Sequence, residues 1–279
     1  MNVPRYKSLV TGLNGIVGWY LFKDLGQHHD ADGTFRKRHP SLTGERMHRI
    51  DLESEEQVAR FAFTVQPDYF VHAWSMCDLD LCELCPELAH RINVEGTRRM
   101  LEVAGRLKVL KKFIYLSTDH VFGGQRGGYE EGDRPRPKHA YGKSKREAEY
   151  LVEHSGLPYL IIRPGLVIGQ SFQGNIGPRD FLFSRIRAAK PTHLFTDEWR
   201  TPIDAEEFSR RAKALILSPK TGVYHIAGRQ IYNRYELGRG LAAQNSLTTE
   251  HIYPRLRSED RWAHIRPRDL SLRTVHEDT

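Results

Sequence analysis

The run Lys7-Ser8-Leu9-Val10-Thr11-Gly12-Leu13-Asn14-Gly15-Ile16-Val17-Gly18 decides the fold. Lys7 to Thr11 reads as a short buried strand, and a helical pattern follows from near Val17 to Leu25. Glycines at such a strand-to-helix junction let backbone N–H groups approach a phosphate, which the positive end of the helix favours. Taken alone, Gly12, Asn14, Gly15, Ile16 and Val17 also suit an ordinary turn; the flanking strand and helix argue for the phosphate cradle. Gly18 then permits close packing of the helix on the sheet.

Outward from this junction the rhythm persists. Gly33 to Arg36, Tyr69 to Ala73, Phe113 to Ser117 and Tyr159 to Ile162 read as strands. Glu56 to Thr64, Glu87 to Leu107 and Ala140 to His154 read as helices between them. The alternation predicts an α/β fold: a Rossmann-type doubly wound parallel sheet, covered on both faces. After Gly169 the rhythm changes. Gln170 to Arg179 is a polar loop; helices are expected around Phe181 to Ala189, Ala205 to Leu217 and Tyr235 to Ala243, with a strand at Val223 to Ile226. The expected division is a nucleotide-binding Rossmann domain over 1–169 and a small C-terminal substrate-binding lobe over most of 170–279, with some return to the main sheet.

Composition narrows the function classes. With 39% hydrophobic and 28% charged residues the chain is globular in type, which excludes wholesale disorder. No apolar run approaches the roughly 18 residues of a membrane helix, and Met1 to Val10 lacks the apolar core of a secretory signal. Three cysteines fit a reducing cytosol better than a disulfide framework, so a cytoplasmic protein is expected. Lys and Arg number 42 against 35 acids, a formal charge of +7. The bases sit in short clusters, such as Arg36-Lys37-Arg38 and Lys111-Lys112, without a long basic arm or a nucleic-acid motif. They read as solvated surface with a few anion contacts, and neither nucleic acid nor membrane is expected as a partner. Cys77, Cys82 and Cys85 have the spacing of a plant-type iron–sulfur protein, but such a cluster needs four thiolates. No metal is expected.

Three further segments carry chemistry. Thr34-Phe35-Arg36-Lys37 ends the second strand without the acid that would bind the ribose hydroxyls of NAD. An Arg there can pair with a 2′-phosphate, so NADP(H) is expected over NAD(H); the alternative is a solvated loop. Tyr141-Gly142-Lys143-Ser144-Lys145 opens a helix, and its Tyr and Lys, four apart, share a face. The ammonium is expected to lower the phenol from its usual pKa of about 10, which suits Tyr141 to general acid work. The spacing also arises by chance. Ser117-Thr118-Asp119-His120-Val121-Phe122 follows a buried strand, where groups at carboxyl ends line the ligand crevice and a Thr118 or Ser117 hydroxyl can hold a carbonyl.

In this order the motifs resemble the extended short-chain dehydrogenase/reductase superfamily over most of the chain. Ser117 to Phe122, Tyr141 to Lys145 and Ala148-Glu149 look most like the dTDP-4-dehydrorhamnose reductase family. The resemblance implies that Asp51 and Leu52 contact adenine, that Ala73 and Trp74 lie beside the cofactor, and that Pro164 ends a strand beside the nicotinamide. It puts Ser117, His120 and Val121 in the substrate pocket and Arg200 against a diphosphate. Arg266-Pro267-Arg268-Asp269-Leu270-Ser271-Leu272 resembles the segment that closes the substrate lobe. The implied reaction is NADPH reduction of the 4-keto group of a nucleotide-linked 6-deoxy sugar. Tyr141 protonates the alkoxide, Lys145 holds the nicotinamide ribose and tunes Tyr141, and Thr118 orients the carbonyl. Two departures stand out: His120 where members usually carry Tyr, and Leu166 where they often carry Trp. A related sugar-nucleotide epimerase or reductase on another carbonyl, or a non-catalytic NADP-binding regulatory subunit, remains open. The expected partner is a small-molecule nucleotide sugar, and a homodimer is compatible.

Overall fold

The computed structural model describes residues 5–37, 42 and 44–276. Arg38, part of one basic cluster, and the first residues of the N-terminal segment, 1–4, lie outside them. In chain order the first part runs β1 (Lys7–Thr11), α1 (Ile16–Gly26), β2 (Asp30–Phe35), β3 (Met47–Arg49), α2 (Glu55–Val65) and β4 (Tyr69–His72). There follow α3 (Leu79–Leu84), α4 (Pro86–His90), a π turn over Arg91–Glu95, α5 (Gly96–Gly105), β5 (Lys112–Leu116), α6 (Ala140–Glu153) and β6 (Tyr159–Pro164). The remainder comprises β7 (Val167–Ile168), α7 (Pro178–Arg187), β8 (Thr192–Phe195), β9 (Trp199–Arg200), β10 (Ile203–Asp204), α8 (Ala205–Leu217), β11 (Gly222–Ile226), β12 (Tyr232–Asn233), α9 (Arg234–Gln244) and β13 (Ile252–Arg255).

Seven of these strands form one parallel sheet in the order β11-β6-β5-β4-β1-β2-β3. The order reverses between β1 and β4, where a doubly wound sheet opens a crevice at its carboxyl edge. The inner strands β1, β4, β5 and β6 are buried on both faces, and period-two alternation sorts their side chains between two cores. Val10, Val71, Ile114 and Ile162 pack with Leu21, Leu25, Phe208 and Leu215 of α1 and α8. Leu9, Phe70, Phe113 and Ile161 pack on the other side with Val58, Met100, Val103, Ala148 and Val152 of α2, α5 and α6. This two-sided burial is why β4, β5 and β6 read as largely apolar runs.

The first turn is as tight as its glycines require. Gly12 has a positive φ of 84°, and a Cβ there would stand 2.9 Å from the backbone of Trp74. A Cβ on Gly18 would stand 2.5 Å from the Gly12 carbonyl oxygen, so α1 can approach the loop only because Gly18 has none.

The expected single helix over Glu87 to Leu107 is interrupted. The π turn at Arg91–Glu95 widens it, and such turns gather at functional sites. Here it carries Asn93, 1% exposed, whose side chain accepts from Met76 N (2.7 Å) and donates to Met76 O (3.0 Å) and to Ser144 Oγ (2.9 Å). One amide thereby ties the loop after β4 to α6.

After β6 the chain builds a smaller unit from α7, α9 and the parallel pair β8–β13 around Leu182, Phe183, Ile186, Ala242 and Ile252. The same part of the chain sends β11 to the edge of the main sheet and α8 onto α1. Among the described residues no helix is long and apolar enough to cross a membrane.

Candidate active site

The crevice is floored by a hydrogen-bond chain that starts in β1. Ala73 N and Trp74 N donate to Thr11 Oγ1 (3.1 and 3.2 Å), which leaves that hydroxyl to donate to His72 Nδ1 at 3.0 Å. Thr97 gives its own proton to Asn93 O at 2.6 Å, so His72 Nε2 must donate to Thr97 Oγ1, 3.2 Å away. Burial drives the His72 pKa down to about 3, and the ring stays neutral within this chain. The chain locks the backbone of Ala73 and Trp74 against the glycine turn.

At the rim of that turn, Asn14 Oδ1 accepts from the N–H groups of Arg36 (3.1 Å) and Lys37 (3.4 Å) and presents the end of β2. Arg36 is half exposed, with Nη1 3.6 Å from Glu53 Oε1. Asp51 Oδ1 accepts from Glu53 N at 3.0 Å, and Leu52 is buried beneath. Ile16 is buried, and its Cδ1 fills the space where Gly177 lacks a side chain. Val17 packs on the core below. Pro164 pairs with Ile226 at the far end of β6.

The reactive candidates gather beside the end of β5. Tyr141 is 8% exposed, with the rings of His139 (6.1 Å, parallel) and His120 (5.9 Å, edge-on) against it. Lys145, 2% exposed, donates from Nζ to Leu116 O at 2.6 Å and lies 4.1 Å from the Tyr115 ring centroid. Burial lowers its pKa to about 7. The Tyr141 phenol departs from the expected direction. Its pKa is raised, by burial first and by the Cys77 thiol next, with the Thr118 hydroxyl pulling the other way. A desolvated phenol resists ionisation, and the Lys145 ammonium is turned to the Leu116 carbonyl.

Not every expected residue faces the cleft. Ser117 donates to Glu149 Oε1 at 2.6 Å in a buried network with Arg163. Val121 has no exposed surface and belongs to a small core with Phe122, Tyr129, Leu270 and Leu272. Its side chain has no path to a substrate. Arg200, 2% exposed, spends its guanidinium on Glu198 (3.0 Å) and the Trp199 carbonyl (2.9 Å), with Asp119 3.7 Å away. Buried and matched to acids, it is not a free anion site. Burial raises Asp119 to about 6 despite Arg200.

Two residues enter that the sequence reading passes over, His139 and Arg234, and a third, Cys77, that it weighs only as a cluster ligand. His139 caps α6 by accepting from Gly142 N at 3.1 Å. Arg234, at the start of α9, has Nε 4.0 Å from Glu198 Oε1, and its charge adds to those of Arg200 and Arg266 in the field at His120. Cys77 is exposed to solvent yet close enough to Tyr141 and Lys145 to influence both, which places its thiol in the open cleft. The segment from Arg266 to Leu272 is tied down: Arg266 binds Asp80 (3.0 Å) and Asp260 (2.9 Å), and Leu270 and Leu272 are buried. A separate groove of about 600 Å³ between α1 and α8, lined by Tyr20, Asp24, Glu206 and Lys213, holds none of these groups.

Comparison with known proteins identifies the family and the fold. The family model described as the RmlD substrate binding domain matches residues 6–277. A probable low-salt glycan biosynthesis reductase, Agl14 of Haloferax volcanii, is 28% identical over 83% of this chain and 77% of its own. Methionine adenosyltransferase 2 subunit beta of Bos taurus is 25% identical over 91% of this chain and 76% of its own. Among solved structures, a hypothetical dTDP-4-dehydrorhamnose reductase from Sulfolobus tokodaii superimposes with a TM-score of 0.80 at 27% identity, covering 95% of this chain and 91% of that one. The dTDP-4-dehydrorhamnose reductase of Bacillus anthracis, solved with NADP, shares the fold at 22% identity and a TM-score of 0.82, covering 97% of this chain and 91% of its own. The chain belongs to the RmlD-like family of the extended short-chain dehydrogenase/reductase superfamily and carries the fold of its NAD(P)-dependent oxidoreductases.

Proposed function

We propose that the protein uses NADPH to reduce the 4-keto group of a nucleotide-linked 6-deoxy sugar, in the cytoplasm. One observation carries this reading: Thr118, Tyr141 and Lys145 converge, buried, beside the carboxyl end of β5. The N-terminus of α1 fits a dinucleotide diphosphate. Gly15 offers no side-chain cap, the first turn contains no acid, and a Cβ at Gly15 would meet nothing nearer than 3.5 Å. In this reading Gly12, Asn14, Ile16 and Val17 complete the cradle, with Arg36 and Lys37 at the 2′-phosphate and Asp51 and Leu52 by the adenine. Ala73 and Trp74 line its middle, and Pro164 its nicotinamide end.

Bound NADPH would supply the hydride. Burial keeps the Tyr141 phenol protonated at neutral pH, so it holds the proton that the carbonyl oxygen needs as it gains charge. The Thr118 hydroxyl steadies the same oxygen. Lys145, poised near pH 7, grips the ribose. Arg234 takes the substrate diphosphate, with Arg200 fixed behind it by Glu198. The lobe built on α7 and α9 covers the sugar nucleotide. Incubation of the purified protein with NADPH and a panel of 4-keto sugar nucleotides should give turnover that Tyr141→Phe abolishes; no oxidation with any of them overturns the reading.

A second reading, a cofactor-binding regulatory subunit, is favoured by the relatives named methionine adenosyltransferase 2 subunit beta. A stable stoichiometric partner without turnover would select it.

A further inference from the structure

We infer that His139 is a positioning residue that fixes His120 as a hydrogen-bond donor to an oxygen of the sugar nucleotide. The argument is one of proton bookkeeping, and it rests on the functional reading above only for the identity of the ligand. Gly142 N–H is a donor and lies 3.1 Å from His139 Nδ1, so Nδ1 carries no proton. The neutral His139 ring therefore bears its proton on Nε2. That nitrogen is 2.8 Å from His120 Nδ1, which must accept. His120 is left with its proton on Nε2. This atom forms no hydrogen bond among the described residues, and Asp119 Oδ1 stands 3.9 Å away. A backbone N–H at the start of α6 thus sets the tautomer of a ring two hydrogen bonds away.

The surroundings keep both rings neutral. His139 is 2% exposed, and burial, with Arg200, Arg266 and Lys143, lowers its pKa to about 4. His120 is lowered by burial and by Arg200, His139, Arg234 and Arg266. Asp119 and Tyr141 are the other titratable groups against it. Neutral and donor-only toward the cleft, His120 suits a hydroxyl, carbonyl or phosphate oxygen and rejects a ligand group that can only donate. Its ring abuts Tyr141, which places that oxygen next to the reacting centre.

The test separates the relay from the reaction. In isotope-labelled protein, long-range nitrogen–proton correlation of the imidazole rings should show His139 and His120 both in the Nε2–H form. His139→Asn retains a good helix cap but is too short to reach His120. It should leave His120 in mixed tautomers and raise KM for the ketone about tenfold, with kcat and NADPH affinity within about twofold. His139→Gln, whose amide can still donate toward His120 Nδ1, should recover most of that loss. In a His120→Phe background the His139→Asn change should add nothing further. Wild-type His120 in the Nδ1–H form, or His139→Asn with unchanged tautomers and KM, overturns the relay. If the wild type reduces no 4-keto sugar nucleotide, the functional reading fails, and the tautomer measurement still decides the relay.

Discussion

Arg163 and Glu149 pair side-on inside the protein, Nε to Oε1 and Nη2 to Oε2 each at 2.8 Å, with almost no exposure of either side chain. Ser117 adds a third bond to the carboxylate and Arg146 a fourth. The pair joins α6, which carries Tyr141 and Lys145, to β6, so it sets the height of the reactive helix over the sheet. Glu149→Ala leaves a buried guanidinium unmatched and should cost about 3–5 kcal/mol. Urea unfolding of wild type and variant checks this; a loss under about 1 kcal/mol would deny the pair its structural role.

The same carboxylate makes the fold acid-sensitive. Burial pushes Glu149 up, but Arg163, Ser117 and Arg146 together hold it below its usual range. Its folded pKa is thus lower than its unfolded value of about 4.3. The stabilisation is present above that value and drains away as pH falls through the folded one. Glu149→Gln should flatten this part of the stability–pH curve, measured by unfolding at stepped pH below about 5.

Lys145 has the opposite linkage. Burial lowers its pKa to about 7, so from there to the unfolded value of about 10.4 the unfolded chain binds the extra proton. Wild-type stability should therefore rise with pH across that window. Lys145→Met removes the desolvation cost and should be the more stable protein at and below neutral pH, while NADPH binding and turnover fall. An unchanged or lowered Tm at pH 6 to 7, with the helix intact by circular dichroism, would contradict the burial argument.

How much of this was legible in the sequence depended on the range of the interactions. The central strands were readable because burial on both faces writes an apolar run: β5 falls at Lys112–Leu116, one residue from the expected Phe113 to Ser117. Helix α8 falls on the expected Ala205 to Leu217, and Asp204 caps it, accepting from Glu206 N and Glu207 N. β3 and the short strands β7, β9, β10 and β12 have only two or three residues each, and their pairing is made by distant partners rather than by local pattern. In the site, Tyr141 and Lys145 announced themselves by spacing. His139 did not, because histidine is not among the preferred helix caps and its second partner lies 19 residues away. Arg200 is assigned to a diphosphate through the family resemblance, while the burial and the Glu198 pairing that spend its charge appear only in three dimensions.

Arg36 offers a direct reading of cofactor preference. It is half exposed at the end of β2, restrained by Glu53 at 3.6 Å, and no acid stands in its place to bind a free ribose. Arg36→Ala should weaken NADPH about ten- to hundredfold and NADH by no more than about twofold. Fluorescence titration with each dinucleotide checks it; equal losses for both would move the discrimination away from this residue.

Tyr141 and Thr118 separate acid catalysis from binding. The phenol is protonated across the physiological range because burial raises its pKa, and the hydroxyl of Thr118 is the neighbour that opposes the rise. Tyr141→Phe keeps the ring that packs against both His139 and His120 and removes only the hydroxyl. It should reduce kcat about 10²- to 10⁴-fold with NADPH affinity unchanged. Thr118→Val keeps the shape but removes the hydroxyl proposed to hold the carbonyl oxygen, and should cost about tenfold in kcat/KM. Here that hydroxyl donates to Asp119 Oδ1 and accepts from His120 N, at 3.2 Å each. Because the acid stays protonated well above neutral, the alkaline fall in the reduction rate should follow Lys145, near pH 7 in the free protein, rather than Tyr141. A kcat/KM profile for reduction that stays flat from pH 6 to 9 would show that the charge on Lys145 is not required.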